Sequence, residues 1–242
     1  ARTSKGKPVN HLVQLDKEEK ILNMIRIAEF DDRNLVFASR LGKIKKTPLE
    51  AYSRPMKTGI KAIKINEGDQ LIGVNITSGE DEIILSTASG MAIRFNESDV
   101  RSMGRGAAGV NGIGLGEDDH VVSMTIVVPD GSLLTVCENG YGKITEFGSY
   151  RTQKRGGKGL IDIRTTERNG SVVSARTLSG DRDAMMMTSN GMLVRISLKD
   201  VRPIGRNTQG VRLIRVKDGD KVIGLELVDA TDGQEEVNPP SE

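Results

Sequence analysis

From Leu35 onward, apolar and polar residues alternate in short runs, and each run closes on a turn rich in Gly, Asn, Asp or Ser. Alternation at period two places successive side chains on opposite faces of an extended chain, so these runs read as strands. They are Leu35 to Ser39, Lys43 to Thr47, Ile63 to Ile65, Leu71 to Thr77, Ile83 to Thr87, Met91 to Phe95, Val121 to Val127, Leu133 to Val136, Lys143 to Phe147, Val172 to Leu178, Met185 to Thr188, Leu193 to Ile196, Val211 to Val216 and Val222 to Val228. Upstream, His11 to Leu15 and Ile21 to Ala28 read the same way. Turns such as Ser89-Gly90, Asn139-Gly140 and Asn190-Gly191 separate paired runs in the manner of hairpins.

The runs recur. Gly6, Gly59, Gly109, Gly159 and Gly210 each precede a set of strands, at spacings of 53, 50, 50 and 51 residues. A fixed period near 50 with about four strands per unit predicts propeller-type blades that bury their faces only by stacking on one another. The expected fold is an all-β, propeller-like disc over residues 1–228, with four full blades and a partial fifth. The last strands are expected either to complete the first blade or to await a blade upstream.

Composition agrees. Aromatic residues make up 3% of the 242, Trp is absent, and there are 28 glycines, which suits a lean aliphatic core threaded by turns. The single cysteine, Cys137, excludes an intrachain disulfide and reads as a buried core thiol. No apolar run is long enough for a transmembrane helix. The net charge of +2 hides an uneven distribution. The five carboxylates of residues 229–242 have no Lys or Arg among them, so residues 1–228 alone carry +7. A basic body with a short acidic tail, expected to be disordered, points to a polyanionic partner.

The charge gathers in the glycine-bearing loops: Arg2, Lys5 and Lys7; Arg54, Lys57 and Lys61; Arg101 and Arg105; Arg151, Lys154, Arg155 and Lys158; Arg202, Arg206 and Arg212. The densest is Gln153-Lys154-Arg155-Gly156-Gly157-Lys158-Gly159, where glycine permits close approach and the cations suit phosphate. Equivalent positions of a propeller lie at one level on its perimeter, so repetition makes a curved positive band. Such a band fits backbone contact with bent duplex DNA. The scarcity of aromatics argues against single-strand stacking, and no recognition helix is evident.

The motif Gln153 to Gly159 resembles the box of the C-terminal domain of DNA gyrase A. Asp69 to Val74, Thr77 to Glu82, Asn139 to Lys143, Thr166 to Gly170 and Gly205 to Val211 resemble that domain as well. The resemblance implies a β-pinwheel whose blades exchange a strand with their neighbours and whose rim wraps double-stranded DNA. It implies work in a type II topoisomerase that introduces negative supercoils, beside the rest of gyrase A and gyrase B in a heterotetramer in the bacterial cytoplasm. ATP and Mg are expected only on other domains, with no cofactor or metal in this chain. Two departures stand out: the best-known members have six blades, and they carry the strict box at the first. The alternatives are the equivalent domain of topoisomerase IV and a protein-binding propeller scaffold.

Other residues read as structural. Tyr150-Arg151 reverses the order found around the cleaving tyrosine of the family, and Tyr150 is expected to be a packing residue. No catalytic residue is identified. The acidic turns Glu67-Gly68-Asp69, Asp118-Asp119 and Asp218-Gly219-Asp220 suit turn geometry better than a metal. His11 and His120 have no partner at ligand spacing.

Overall fold

The computed structural model describes residues 21–56 and 59–230. It contains no α-helix among these residues. Strands β1 (Asn34–Ser39), β2 (Lys43–Pro48), β3 (Leu71–Thr77), β4 (Glu82–Thr87), β5 (Met91–Asn96), β6 (Val110–Asn111), β7 (Val121–Ile126) and β8 (Ser132–Cys137) come first. They are followed by β9 (Tyr141–Glu146), β10 (Leu160–Ile161), β11 (Val172–Leu178), β12 (Arg182–Thr188), β13 (Leu193–Ser197), β14 (Val211–Arg212) and β15 (Val222–Asp229).

They form four antiparallel sheets in the orders β3-β1-β2-β6, β10-β5-β4-β7, β11-β8-β9-β14 and β13-β12-β15. Each repeat contributes a hairpin, a long loop and an inner strand. The inner strands β3, β7, β11 and β15 pack one against the next around a central cavity of about 710 Å³. The short strand in each loop crosses back to the outer edge of the preceding sheet: β6 onto β2, β10 onto β5, β14 onto β9. This is the strand exchange of a pinwheel.

The hairpins form where the sequence demands a left-handed residue. Gly42, Gly90, Gly140 and Gly191 have φ of 79°, 86°, 80° and 81°. Each donates its N–H to the carbonyl three residues back, closing a type I turn onto a left-handed glycine. In three repeats an aspartate of the later turn caps this hairpin. Asp69 accepts from Leu41 N, Asp119 from Ser89 N and Asp220 from Asn190 N. Hydrogen bonds, that from Thr188 foremost, hold the Asp220 carboxyl down at about 2. The acidic turns are thus occupied in turn-building, and no group of three His, Cys, Asp or Glu among the described residues is arranged to hold a metal.

Period-two alternation buries both faces of a sheet when it is stacked on two sides. In β4, Ile83 and Leu85 face the first sheet, beside Val36 and Ile44, while Ile84 faces the third, beside Leu133 and Phe147. Leu134 and Ile144 then pack against Ala184 and Met186 of the fourth. Among the described residues the fourth sheet ends the stack. Its β13 alternates exposed and half-buried residues, whereas the matching strands β2 and β9 are almost wholly buried.

Four readings from sequence are corrected. Val222–Asp229 completes the fourth sheet rather than the first blade. Within Val211 to Val216 only Val211–Arg212 is a strand, and it completes the third sheet. The residues counted as a fifth unit are therefore spent on sheets three and four. Ile21 to Ala28 and Ile63 to Ile65 are not strands, because neither forms a ladder; Lys64 makes a single backbone bond, its N–H to Ala107 O at 3.2 Å. Ile27 and Ile63 serve instead as apolar cover for Phe37, Leu49 and Tyr52 of the first repeat. His11 to Leu15 and the tail 231–242 lie outside the described residues.

Candidate nucleic-acid interface

The basic loops of repeats two, three and four are the segments that carry the exchanged strands, and they dock by one rule. Met103 N donates to Lys46 O, Gln153 N to Arg94 O and Ile204 N to Ile144 O, at 2.8–2.9 Å. Lys46, Arg94 and Ile144 occupy the same register in β2, β5 and β9. The loops of repeats two, three and four therefore leave the outer edge of the preceding sheet at equivalent points.

The marker glycines explain how they return. Gly109, Gly159 and Gly210 have φ of 95°, 78° and 74°. A Cβ on each would stand 2.5 Å from a backbone carbonyl oxygen of the preceding sheet, that of Ile44, Ala92 or Gly142. Only glycine permits both the left-handed turn and that approach. Gly59 shares the conformation (φ 77°) but would meet nothing within 4 Å, since no described sheet precedes the first repeat.

Buried lysines fasten two of the loops from below. Lys45 Nζ donates to Arg105 O at 2.6 Å and Ala62 O at 2.7 Å, and its pKa falls to about 8 through burial and then the nearby Arg105. At the same register in β9, Lys143 Nζ donates to Gly205 O and pairs with Asp162 at 3.1 Å. Asp162 also accepts from Tyr150 OH at 2.5 Å and Thr135 Oγ1 at 2.7 Å. Burial, then Asp162, pushes the Tyr150 phenol far above its ordinary range. Tyr150 is thus a core residue, as expected. Cys137 is also buried, and burial pushes its thiol up to about 12.

The strict box lies across the second repeat. Gly156 N donates to Gly112 O at 2.7 Å, and Gly114 N donates to Gly157 O at 2.9 Å. Lys154, Lys158, Gly156 and Gly157 are exposed, and Lys154 forms a surface pair with Asp99 at 2.8 Å. Arg155 differs. Its Nε donates to Asp99 O at 2.8 Å and its Nη1 to Asn111 O at 2.9 Å. Arg206 repeats this in the next loop, with Nε on Ser149 O at 2.7 Å and Nη1 on Ile161 O at 3.1 Å. Both arginines were read as phosphate ligands; the structure uses them first as latches between consecutive repeats. Gln153 is half-buried, with a side-chain nitrogen that has no partner among the described residues.

Of the other cations read from sequence, Lys61, Arg101, Arg105, Arg151 and Arg202 are exposed on the loops, as is Arg54. Arg212 is exposed on β14 but donates to Tyr141 OH at 2.7 Å. Arg2, Lys5, Lys7 and Lys57 lie outside the described residues. The sequence reading missed Arg164, which donates to Asn207 Oδ1 at 3.2 Å between the box loop and the next loop, and also Arg168 and Arg215. None of the three lies in a glycine-cation run, so nothing local marks them. Among the described residues no helix is long and apolar enough to cross a membrane.

Comparison with known proteins agrees with this geometry. The family described as DNA gyrase C-terminal domain, beta-propeller, matches residues 33–78, 81–127, 131–179 and 182–229, one match per repeat. The DNA gyrase A protein of Escherichia coli (strain K12) is 45% identical over 228 residues, covering 94% of this chain and 26% of that protein. The DNA gyrase A protein of Salmonella typhimurium is 44% identical over 229 residues, with the same coverage. The chain thus spans about a quarter of the length of these curated relatives. A crystal structure of the C-terminal domain of DNA topoisomerase IV superposes with a TM-score of 0.86 at 25% identity, covering 93% of this chain and 71% of that one. A structure of a DNA gyrase A C-terminal domain gives 0.82 at 27% identity, covering 93% and 75%. With four repeats matched in register and relatives above 40% identity, the chain belongs to the DNA gyrase C-terminal domain, beta-propeller, family.

Proposed function

We propose that this chain binds and wraps double-stranded DNA on its basic rim, without base specificity, as the C-terminal domain of a DNA gyrase A. One observation carries the reading: loops docked by the same backbone bond at the same register hold their exposed cations at a common level. Lys154, Lys158, Arg151, Arg101, Arg105 and Arg202 on these loops are the direct phosphate ligands in this reading, joined by the exposed Lys61 of the first repeat's loop, with Gln153 and the box glycines shaping the surface. Arg155 and Arg206 add potential while holding structure. Bending the duplex costs several kcal/mol, which many phosphate contacts offset together.

In the complete enzyme the wrap presents a DNA segment for strand passage and directs it toward negative supercoiling. Breakage, ATP hydrolysis and Mg binding belong to the rest of gyrase A and to gyrase B, in the bacterial cytoplasm at the nucleoid. The chain is added to relaxed closed-circular DNA, a nicking-closing enzyme is applied, and the linking number is read. A shifted topoisomer distribution supports wrapping, and an unshifted one rejects it. The domain of a topoisomerase IV is the second reading, favoured by the close superposition on such a domain. Supercoiling by the reconstituted holoenzyme separates the two, since only the gyrase reading expects it.

A further inference from the structure

The third repeat departs from its neighbours in the turn that precedes its inner strand. Where the other repeats place Asp69, Asp119 or Asp220 in the later turn, this one places Arg168 and Asn169. The capping is reversed: Glu138 of the hairpin reaches across to accept from Ser171 N at 3.2 Å. The turn is held firmly. The fully buried Asn169 accepts from Thr166 N at 2.7 Å and donates to Arg164 O and Gln209 O. Asn139 Nδ2 donates to Glu167 O at 3.0 Å.

Arg168 projects from this turn onto the ring of Tyr141, its guanidinium carbon 4.8 Å from the ring centroid. Arg212 stacks on the same ring at 5.3 Å while bonding its hydroxyl. Arg168, then Arg212, lowers the Tyr141 pKa. Arg215 and Lys217 complete a cavity of about 440 Å³ beside them. Among the described residues none of these four cations has a carboxylate at ion-pair distance, whereas Lys143, Arg195 and Lys221 do. Of the acids nearby, Asp220 is bound by Ser189, Asn190 and Lys221, and Glu138 by Lys221. Asp218 alone faces the cavity free of such bonds. Two planar guanidiniums fixed by stacking, with their remaining N–H groups unspent, form a fork suited to phosphate oxygens.

We infer that Arg168, Arg212 and Arg215, ordered around Tyr141, form a second phosphate site that takes the DNA backbone as it leaves the box. The inference rests on the wrapping reading. Hydrogen bonds connect the two places: Arg206 joins the box loop's Ile161 to the next loop, and Arg164 joins that loop's Asn207 to the turn bearing Arg168.

The test uses the full chain and a 40-bp duplex of mixed sequence, with affinity measured by fluorescence anisotropy over a range of NaCl. Each phosphate neutralised contributes about 0.9 to the slope of log K against log salt. The double variant R168Q/R215Q is expected to make the slope shallower by about two, and R215Q alone, which touches no ring, by about one. Circular dichroism and Tm check that each variant is folded. K154A/K158A serves as the reference for the rim. If it flattens the slope while R168Q/R215Q and R215Q both match the unsubstituted chain, the second site is overturned and the wrapping reading stands. If the unsubstituted chain shows no salt-dependent duplex binding, both are overturned.

Discussion

Replacing Gly159 and Gly59 by alanine separates the two demands that the marker glycines meet. Both have φ near +78°, so alanine at either site carries the same left-handed penalty, about 1–2 kcal/mol. The methyl also restrains the unfolded chain, which returns about 0.4–1 kcal/mol. G59A should therefore cost about 0–1.6 kcal/mol, since nothing stands within 4 Å of the new carbon. In G159A the carbon would lie 2.5 Å from Ala92 O and 2.8 Å from Ala92 C. Neither is the end of a flexible side chain, so β10 must move off β5. That surrenders a two-residue ladder and the docking of the box, at about 1 kcal/mol for each backbone bond lost. The expected cost of G159A is about 3–4 kcal/mol. Urea denaturation of the two variants and the parent, followed by far-UV circular dichroism, gives the comparison. Equal midpoints for G59A and G159A would refute the claim that the close approach, rather than the turn, makes this glycine necessary.

Four further outcomes concern the interior and the rim. R155A should lose about 2 kcal/mol of stability in the same denaturation assay, having lost two charge-assisted bonds, whereas K154A/K158A should leave stability near the parent value and flatten the salt dependence of DNA binding. Glu97 is buried at a register where the other repeats have Leu49, Phe147 and Leu198, with neither carboxylate oxygen hydrogen-bonded and Lys46 at 3.7 Å; K46I should cost about 3–5 kcal/mol, while K46I/E97L, which copies the Ile144 and Leu198 pair, should match or exceed the parent by chemical denaturation. Burial raises the Glu97 pKa in the folded state above its ordinary 4.5, so the cost of the bare carboxylate in K46I is present above the raised pKa and should shrink as pH falls through it toward 4.5. Cys137 should resist a thiol reagent at pH 8 in the native chain and react fully in denaturant; native labelling at the denatured rate would contradict its burial.

The period was legible because its markers are sterically compelled. Gly109, Gly159 and Gly210 cannot be replaced without a collision, so they recur and announce each unit. The frame of the unit was not legible. A two-residue strand such as Leu160–Ile161 has no alternation to read, and its pairing with Met91 and Ala92 of the preceding repeat is a long-range fact. Counting from the glycines thus produced a fifth unit, while the pairing yields four repeats that begin at their hairpins. Ile63 to Ile65 looked like a strand because apolar cover and apolar strand share a local pattern. The basic rim was visible as composition. The division of labour within it was not, since Lys154 and Arg155 are neighbours of like charge and only the positions of Asp99 O and Asn111 O distinguish an exposed cation from a latch.

Strand exchange also constrains the order in which the molecule can be made. The first sheet receives its last strand from Val110–Asn111, which lies beyond the whole hairpin of the second repeat, and the same delay recurs at Leu160–Ile161 and Val211–Arg212. During synthesis from the N-terminus, none of the first three sheets is finished when its own hairpin and inner strand have emerged. Each of the first three repeats waits with an open edge for a segment made later. Ribosomal pausing inside one repeat would therefore leave the previous one unsealed, and a chain cut short by one repeat loses the rim of two.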